Sequence, residues 1–273
     1  MRYNKETIRK GVIMNPFAQV RKVPLYYSGV QSNAYSVQTY DLNKKKDMLE
    51  WKEVGNVTDN YLLVENSEVQ EMADDVMTNT GFEWEPLKRF WDGRRFMDSY
   101  ICKSETEAVK PGDDVGLGIS FWNSYDGSTA LSFRLFMVRL LCTNGMLSKH
   151  FFHTYRFKHD KNNENYYEEI TNVSDIIKNS GDKVADMTKK LTRLDETGFG
   201  VTTMSELRQE KLSEIPVTLW GKIVDRYLEN YVGGSCWDFL NAGTDIIWHD
   251  KKPTMATFNH NTYFVDGMMS YVS

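Results

Sequence analysis

Residues 115–142 read Val115-Gly116-Leu117-Gly118-Ile119-Ser120-Phe121-Trp122-Asn123-Ser124-Tyr125-Asp126-Gly127-Ser128-Thr129-Ala130-Leu131-Ser132-Phe133-Arg134-Leu135-Phe136-Met137-Val138-Arg139-Leu140-Leu141-Cys142. Two β-rich runs flank Tyr125-Asp126-Gly127-Ser128, and an Asp-Gly pair favours a tight hairpin turn because glycine adopts positive φ without strain. In the return strand Leu131, Phe133 and Leu135 alternate with Ser132, Arg134 and Phe136, the period of two that defines a pleated strand. Val138, Leu140 and Cys142 continue the Phe136 face and Arg139 falls on the other. An unbroken strand therefore puts Arg134 and Arg139 on opposite faces, and only a bulge or the strand's end would bring them together.

Outward from this hairpin, Tyr100 to Lys103 reads as a strand, and Phe151 to Lys158 as another. Asn33 to Tyr40 and Met48 to Val54 flank a polar turn, which predicts a further hairpin. Asn66 is placed to cap a helix with Val69, Met72, Ala73, Val76 and Met77 on one face, ended by Gly81. Val173, Ile177, Ser180, Val184, Met187, Leu191 and Leu194 recur at helical spacing, with Gly181 weakening the middle. Pro216 divides a helical region from Ser205 to Tyr231, and Ser235 with Asp238 offers a capping box for a short helix from Cys236 to Ala242. The expected class is α+β: a mainly antiparallel sheet of hairpins, a long amphipathic helix packed on one face and a helical C-terminal part. The expected organisation is an irregular N-terminal arm over 1–32, an α+β core over 33–200 and the helical part over 201–273.

Charge is segregated along the chain. Between Gly127 and His159 there is no aspartate or glutamate, yet Arg134, Arg139, Lys149, Arg156, Lys158 and three of the five histidines lie there. Taking those five cations from a net charge of −5 leaves −10 on the remaining residues. An overall pI near 5.6 argues against a generally basic nucleic-acid coat, so any polyanion must meet a local strip. The expectation is a groove for single-stranded DNA in which Arg134, Arg139, Lys149, Arg156 and Lys158 meet phosphates while Trp122, Tyr125 or Phe152 stack on bases. The competing reading is that the arginines pair with carboxylates from elsewhere and the rings fill the core.

Catalytic and metal signatures are weak. On a strand His150 and His153 point to opposite faces, and Asp74-Asp75 and Asp113-Asp114 are adjacent pairs whose side chains diverge, so neither zinc nor magnesium is expected. Cys142 near Asn144 and His150 has no visible activating base, and Gly116-Leu117-Gly118 lacks the rest of a dinucleotide fingerprint. Asn123 and Asp126 are expected to shape the turn, and Asn144 to cap a strand end. No cofactor and no enzymatic activity are expected. Cys102, Cys142 and Cys236 are far apart and without a C-x-x-C spacing, which reads as a reducing cytoplasm. No apolar run approaches the roughly 18 residues of a membrane span, and no signal peptide is read at the start.

Several short motifs follow one another in a familiar order. Val57-Thr58-Asp59-Asn60-Tyr61 precedes Val64-Glu65-Asn66-Ser67-Glu68-Val69; Asn123-Ser124-Tyr125-Asp126-Gly127 is followed by Arg139 and Cys142-Thr143-Asn144-Gly145; Trp237-Asp238-Phe239-Leu240-Asn241-Ala242 lies near the C-terminus. This series resembles the phage/plasmid-like family of uncharacterised proteins, with Gly145 departing from the polar or branched residue usual there. The resemblance implies a phage, plasmid or other mobile element as home and no established activity. The local order of hairpin, strand and long helix is also similar to that of phage single-strand annealing proteins, which makes a homo-oligomeric annealing protein in the host cytoplasm the expected role. The alternative is a protein-interaction factor, either an inhibitor of host defence that contacts a host protein or a structural component.

Overall fold

Gly127 lies at φ 73° in the turn that joins β6 (Asp113–Ser124) to β7 (Leu131–Arg139), and the Asp126 carboxylate accepts from the Ser128 amide and hydroxyl to close it. The computed structural model describes residues 15–43, 48–148, 154–163, 165–231, 234–250 and 252–272. Antiparallel pairing runs from Val115 opposite Arg139 to Trp122 opposite Ser132. β4 (Trp84–Trp91) and β5 (Arg95–Lys110) extend the sheet on one side. On the other side the outer edge of β7 is shared, with β8 (Asn144–Met146) along its C-terminal end and β9 (Thr154–Phe157) along its N-terminal half. The strand expected over 151–158 is thus observed as β9, and residues 149–153 lie outside the described residues.

The centre of this six-stranded sheet, β6 and β7, is buried on both faces. Val115, Leu117, Ile119 and Phe121 of β6 join Leu131, Phe133, Leu135 and Met137 of β7 in the main core. Against them pack α1 (Asn66–Thr80), α3 (Val173–Lys178) and α4 (Gly181–Glu196), with α7 (Cys236–Trp248) alongside α4. Trp122, Phe136 and Val138 point the other way and meet Trp248, at the end of α7, and Phe258, at the start of α8 (Met255–Tyr271). The α+β class is as expected, but helices cover both faces, since the C-terminal part folds around the sheet. α2 (Tyr166–Thr171), α5 (Val201–Glu206), a π-helical turn (Leu207–Lys211) and α6 (Val217–Asn230), which starts after Pro216, complete the helical layer.

A second sheet contains β1 (Val20–Tyr27), β2 (Val30–Asn43) and β3 (Met48–Thr58) in that order. β1 corrects the expectation of an irregular arm: Pro24 is tolerated because β1 is an edge strand and its register shifts just after that residue. Val37, Val54 and Val57 pack this sheet on Tyr61 and Tyr125, and a Cβ on Gly55 would come within 2.5 Å of Asp126 Cβ, so the β6–β7 turn sits directly on β3.

Other local expectations need adjustment. The helix over 173–194 is two helices, because Ser180 Oγ turns back to the Ile177 carbonyl at 2.6 Å and Asn179 Nδ2 to the Asp175 carbonyl at 2.7 Å just before Gly181. Asn66 is the first helical residue of α1 and Glu65 its cap; the Asn66 side chain is buried, donating to the Pro16 carbonyl and accepting from Asn123 Nδ2. Asn123 is accordingly a buried bracket between β6 and α1 rather than a turn former. Gly81 ends α1 at φ 73°, and Ser235 with Asp238 forms the expected capping box, although α7 runs on to Trp248.

Gly145 lies under the Trp248 ring, and a Cβ there would stand 2.6 Å from its carbons. A residue larger than glycine must displace a ring that covers the second face. Gly145→Ala is expected to lower stability by about 1–3 kcal/mol, measured as a shift in the urea midpoint; an unchanged midpoint would show that the ring can step aside.

Candidate nucleic-acid interface

Since β7 runs without a bulge from Leu131 to Arg139, its two arginines leave on opposite faces and meet opposite fates. Arg139 is buried, donating from Nε to Asp113 Oδ1 at 2.6 Å and from Nη2 to Asp113 Oδ2 at 2.8 Å, and Trp237 Nε1 donates to the same carboxylate at 2.9 Å. Burial alone would pull its pKa down, but the Asp113 bonds, with a further one to Tyr231, hold it above the ordinary value. Arg139 therefore does not belong to the expected groove: its charge is used inside the protein.

Trp122 and Tyr125 leave the groove for a related reason. Trp122 is fully buried, its Nε1 donating to Ser120 Oγ at 2.9 Å and its ring standing edge-on to Phe258 at 5.1 Å. Tyr125 is buried against Trp91, and its hydroxyl accepts the Asn66 amide at 3.0 Å. Neither ring can stack on a base. Lys149 and Phe152 lie outside the described residues.

Arg134, Arg156 and Lys158 remain. Across the sheet Trp122 pairs with Ser132 and Ser132 with Arg156, while Ser120 pairs with Arg134 and Arg134 with Thr154. Ser132, Arg134 and Arg156 thus share one face, opposite to the face on which Phe133 stacks on Tyr155. Arg156 and Lys158 are exposed and line a surface hollow of about 340 Å³ with Asp160, Asn162, Asn163 and Glu169. Arg134 is half-buried, its guanidinium 4.4 Å above the Trp122 ring. Its pKa is pulled down to about 10 by burial and then by the positive charge of Arg156. Among the described residues no carboxylate pairs with Arg134, and both its Nε and the Ser132 hydroxyl are buried without a hydrogen-bond partner. Partial shielding of a cation without a counter-ion is unfavourable, and a ring face offsets roughly 0.5–2 kcal/mol of that cost.

Among the described residues no three histidine, cysteine or acidic side chains come together as a metal site. Cys142 Sγ lies 3.7 Å from Arg139 Nη1, and His249 Nε2 is occupied donating to the Cys142 carbonyl at 3.0 Å and Asn144 Oδ1 at 2.9 Å. Asn144 Nδ2 in turn donates to the Asn241 carbonyl, so this cluster fastens the strand end to α7. Lys88, missed because β4 was not read as a strand, lies over the Trp248 ring and donates to the Trp248 carbonyl; burial lowers its pKa to about 8. No helix among the described residues is long and apolar enough to cross a membrane.

A family model described as a domain of unknown function, DUF932, matches residues 53–263, and the chain belongs to that family. No match was found among curated proteins or among solved structures.

His159 closes the far side of this region, stacked on Tyr61 at 4.6 Å with Nδ1 donating to the Leu62 carbonyl. Burial pushes its pKa below the ordinary 6.5. The unfolded chain therefore takes up a proton that the folded chain resists, so stability is full above about pH 6.5 and declines as acid is added. Urea midpoints should fall between about pH 7.5 and pH 5.5, less steeply in His159→Gln; equal slopes would remove His159 from the account.

Proposed function

We propose that this chain is a non-enzymatic, single-stranded DNA-binding protein of a phage, plasmid or other mobile element, with strand annealing as its use. The observation that carries the reading is Arg134, half-buried beside Arg156 with no carboxylate partner among the described residues, in a stretch, 127–159, that lacks aspartate and glutamate. An anion supplied from outside would satisfy it. The net negative charge on the remainder of the chain disfavours a polyanion there, and the face of β7 and β9 offers it cations. A strip of three cations suits a single strand, which can bend its phosphates toward the side chains, better than a duplex with its phosphates in fixed rows. Binding on this reading tracks the backbone, without Trp122 or Tyr125 as stacking platforms.

Three phosphate contacts on a single strand give a slope of log affinity against log salt of about −2. Fluorescence anisotropy of labelled oligo-dT in increasing KCl should therefore show affinity falling roughly fifteen-fold from 50 to 200 mM. Arg156→Ala with Lys158→Ala should flatten the slope to about −0.7. Binding that ignores salt would overturn the reading.

A protein-contacting role is favoured by one feature: Tyr26, Tyr27 and Val30 are exposed together at the tip of the β1–β2 hairpin. Were this the main function, the double variant Tyr26→Ser, Tyr27→Ser would lose a copurifying protein and keep its oligonucleotide affinity; loss of neither would exclude it.

A further inference from the structure

We infer that Ser132, Arg134 and Arg156 form a discrete seat for one phosphate group, with Trp122 as the plate on which Arg134 is held. The inference rests on the nucleic-acid reading and deepens it, assigning one anchored phosphodiester within a strand otherwise held by diffuse attraction.

Register supplies the first part of the argument. Ser132 and Arg156 are directly opposite across the β7–β9 pair, and Arg134 is two positions along β7 on the same face. Side chains opposite one another in such a pair have Cβ atoms about 5 Å apart, and next-but-one residues on a strand stand about 7 Å apart. A hydroxyl and two guanidinium groups springing from points this close can converge on one tetrahedral anion. Two like charges placed side by side repel, and the arrangement is stabilised once an anion lies between them.

The orphaned donors supply the second part. Ser132 is 2% exposed and its hydroxyl is buried without a partner, as is the Nε of Arg134. Buried donors are ordinarily satisfied, and two unsatisfied donors on adjacent positions of one face point to a shared acceptor. Phosphate oxygens accept from hydroxyl and guanidinium alike, and the planar guanidinium fork matches a phosphate edge.

Trp122 supplies the third. It pairs directly with Ser132, its Nε1 is fixed by Ser120 Oγ, and its ring lies 4.4 Å beneath the Arg134 guanidinium. The ring is therefore a positioning residue: it keeps a long, flexible side chain in place before the anion arrives. This replaces the role of base platform that its sequence position suggested.

The test is calorimetric titration of the full chain with inorganic phosphate at low ionic strength, in parallel with oligo-dT. A saturable site of one phosphate per chain is expected. Arg156→Ala, at an exposed position, should weaken it about tenfold or more, and Arg134→Lys should do likewise although charge is kept, because an ammonium lacks the fork. Trp122→Phe should weaken phosphate by a smaller factor, and Lys158→Ala should leave it unchanged while reducing oligo-dT affinity. Phosphate affinity that is the same in Arg134→Lys and the parent, or that falls as much in Lys158→Ala as in Arg156→Ala, overturns the seat. Salt-sensitive oligo-dT binding without a phosphate site would sink the seat and spare the polymer reading. A phosphate site in a chain that ignores oligo-dT would do the reverse and leave a seat for a small phosphate.

Discussion

The fold hangs on a buried charge pair at the place where three elements meet. Asp113 opens β6, Arg139 closes β7 and Trp237 lies in the first turn of α7, and the Asp113 carboxylate accepts from both of the others. Nearby, Lys110 at the end of β5 bonds Asp195 of α4 and Asp238 of α7. Removing one partner of such a pair leaves the other buried and unpaired, which is far more costly than never having had the pair. The arrangement therefore specifies where α7 docks, and with it where Trp248 and the start of α8 arrive on the other side of the sheet.

Two arginines five positions apart on one strand make an internal comparison. They share a strand and a residue type, and differ in whether an acid among the described residues pairs with them. Arg139 has Asp113, while Arg134 has a tryptophan face and another arginine. The strand's period of two is the origin of the difference, because an odd separation sends the side chains to opposite faces. A structural role accounts for the first arginine; the second has no acidic partner among the described residues.

Much of the architecture could be read from local chemistry. The Asp-Gly turn, the alternation along β7, the Gly81 stop and the Ser235 capping box all depend on residues within a few positions of one another. What failed depended on distant partners. Pro24 concealed β1 because its tolerance at an edge is a property of the sheet. Trp122 and Tyr125 looked available for stacking because alternation tells which residues share a face but not what covers that face; the covering residues, Phe258 and Asn66, are far away in the chain. Arg139 was placed in the groove for the same reason, its acid being 26 residues earlier. Arg134 and Arg156 do come to one face because a single strand pairing joins them.

The clasp formed by the C-terminal helices sets an order of assembly. Trp122 and Phe136 emerge early in synthesis, whereas the rings that shield them, Trp248 and Phe258, are made more than a hundred residues later. A nascent chain must hold a half-bare sheet in water until α7 and α8 leave the ribosome. A polypeptide not yet made as far as α8 would carry Arg134 over a Trp122 ring that Phe258 has still to cover.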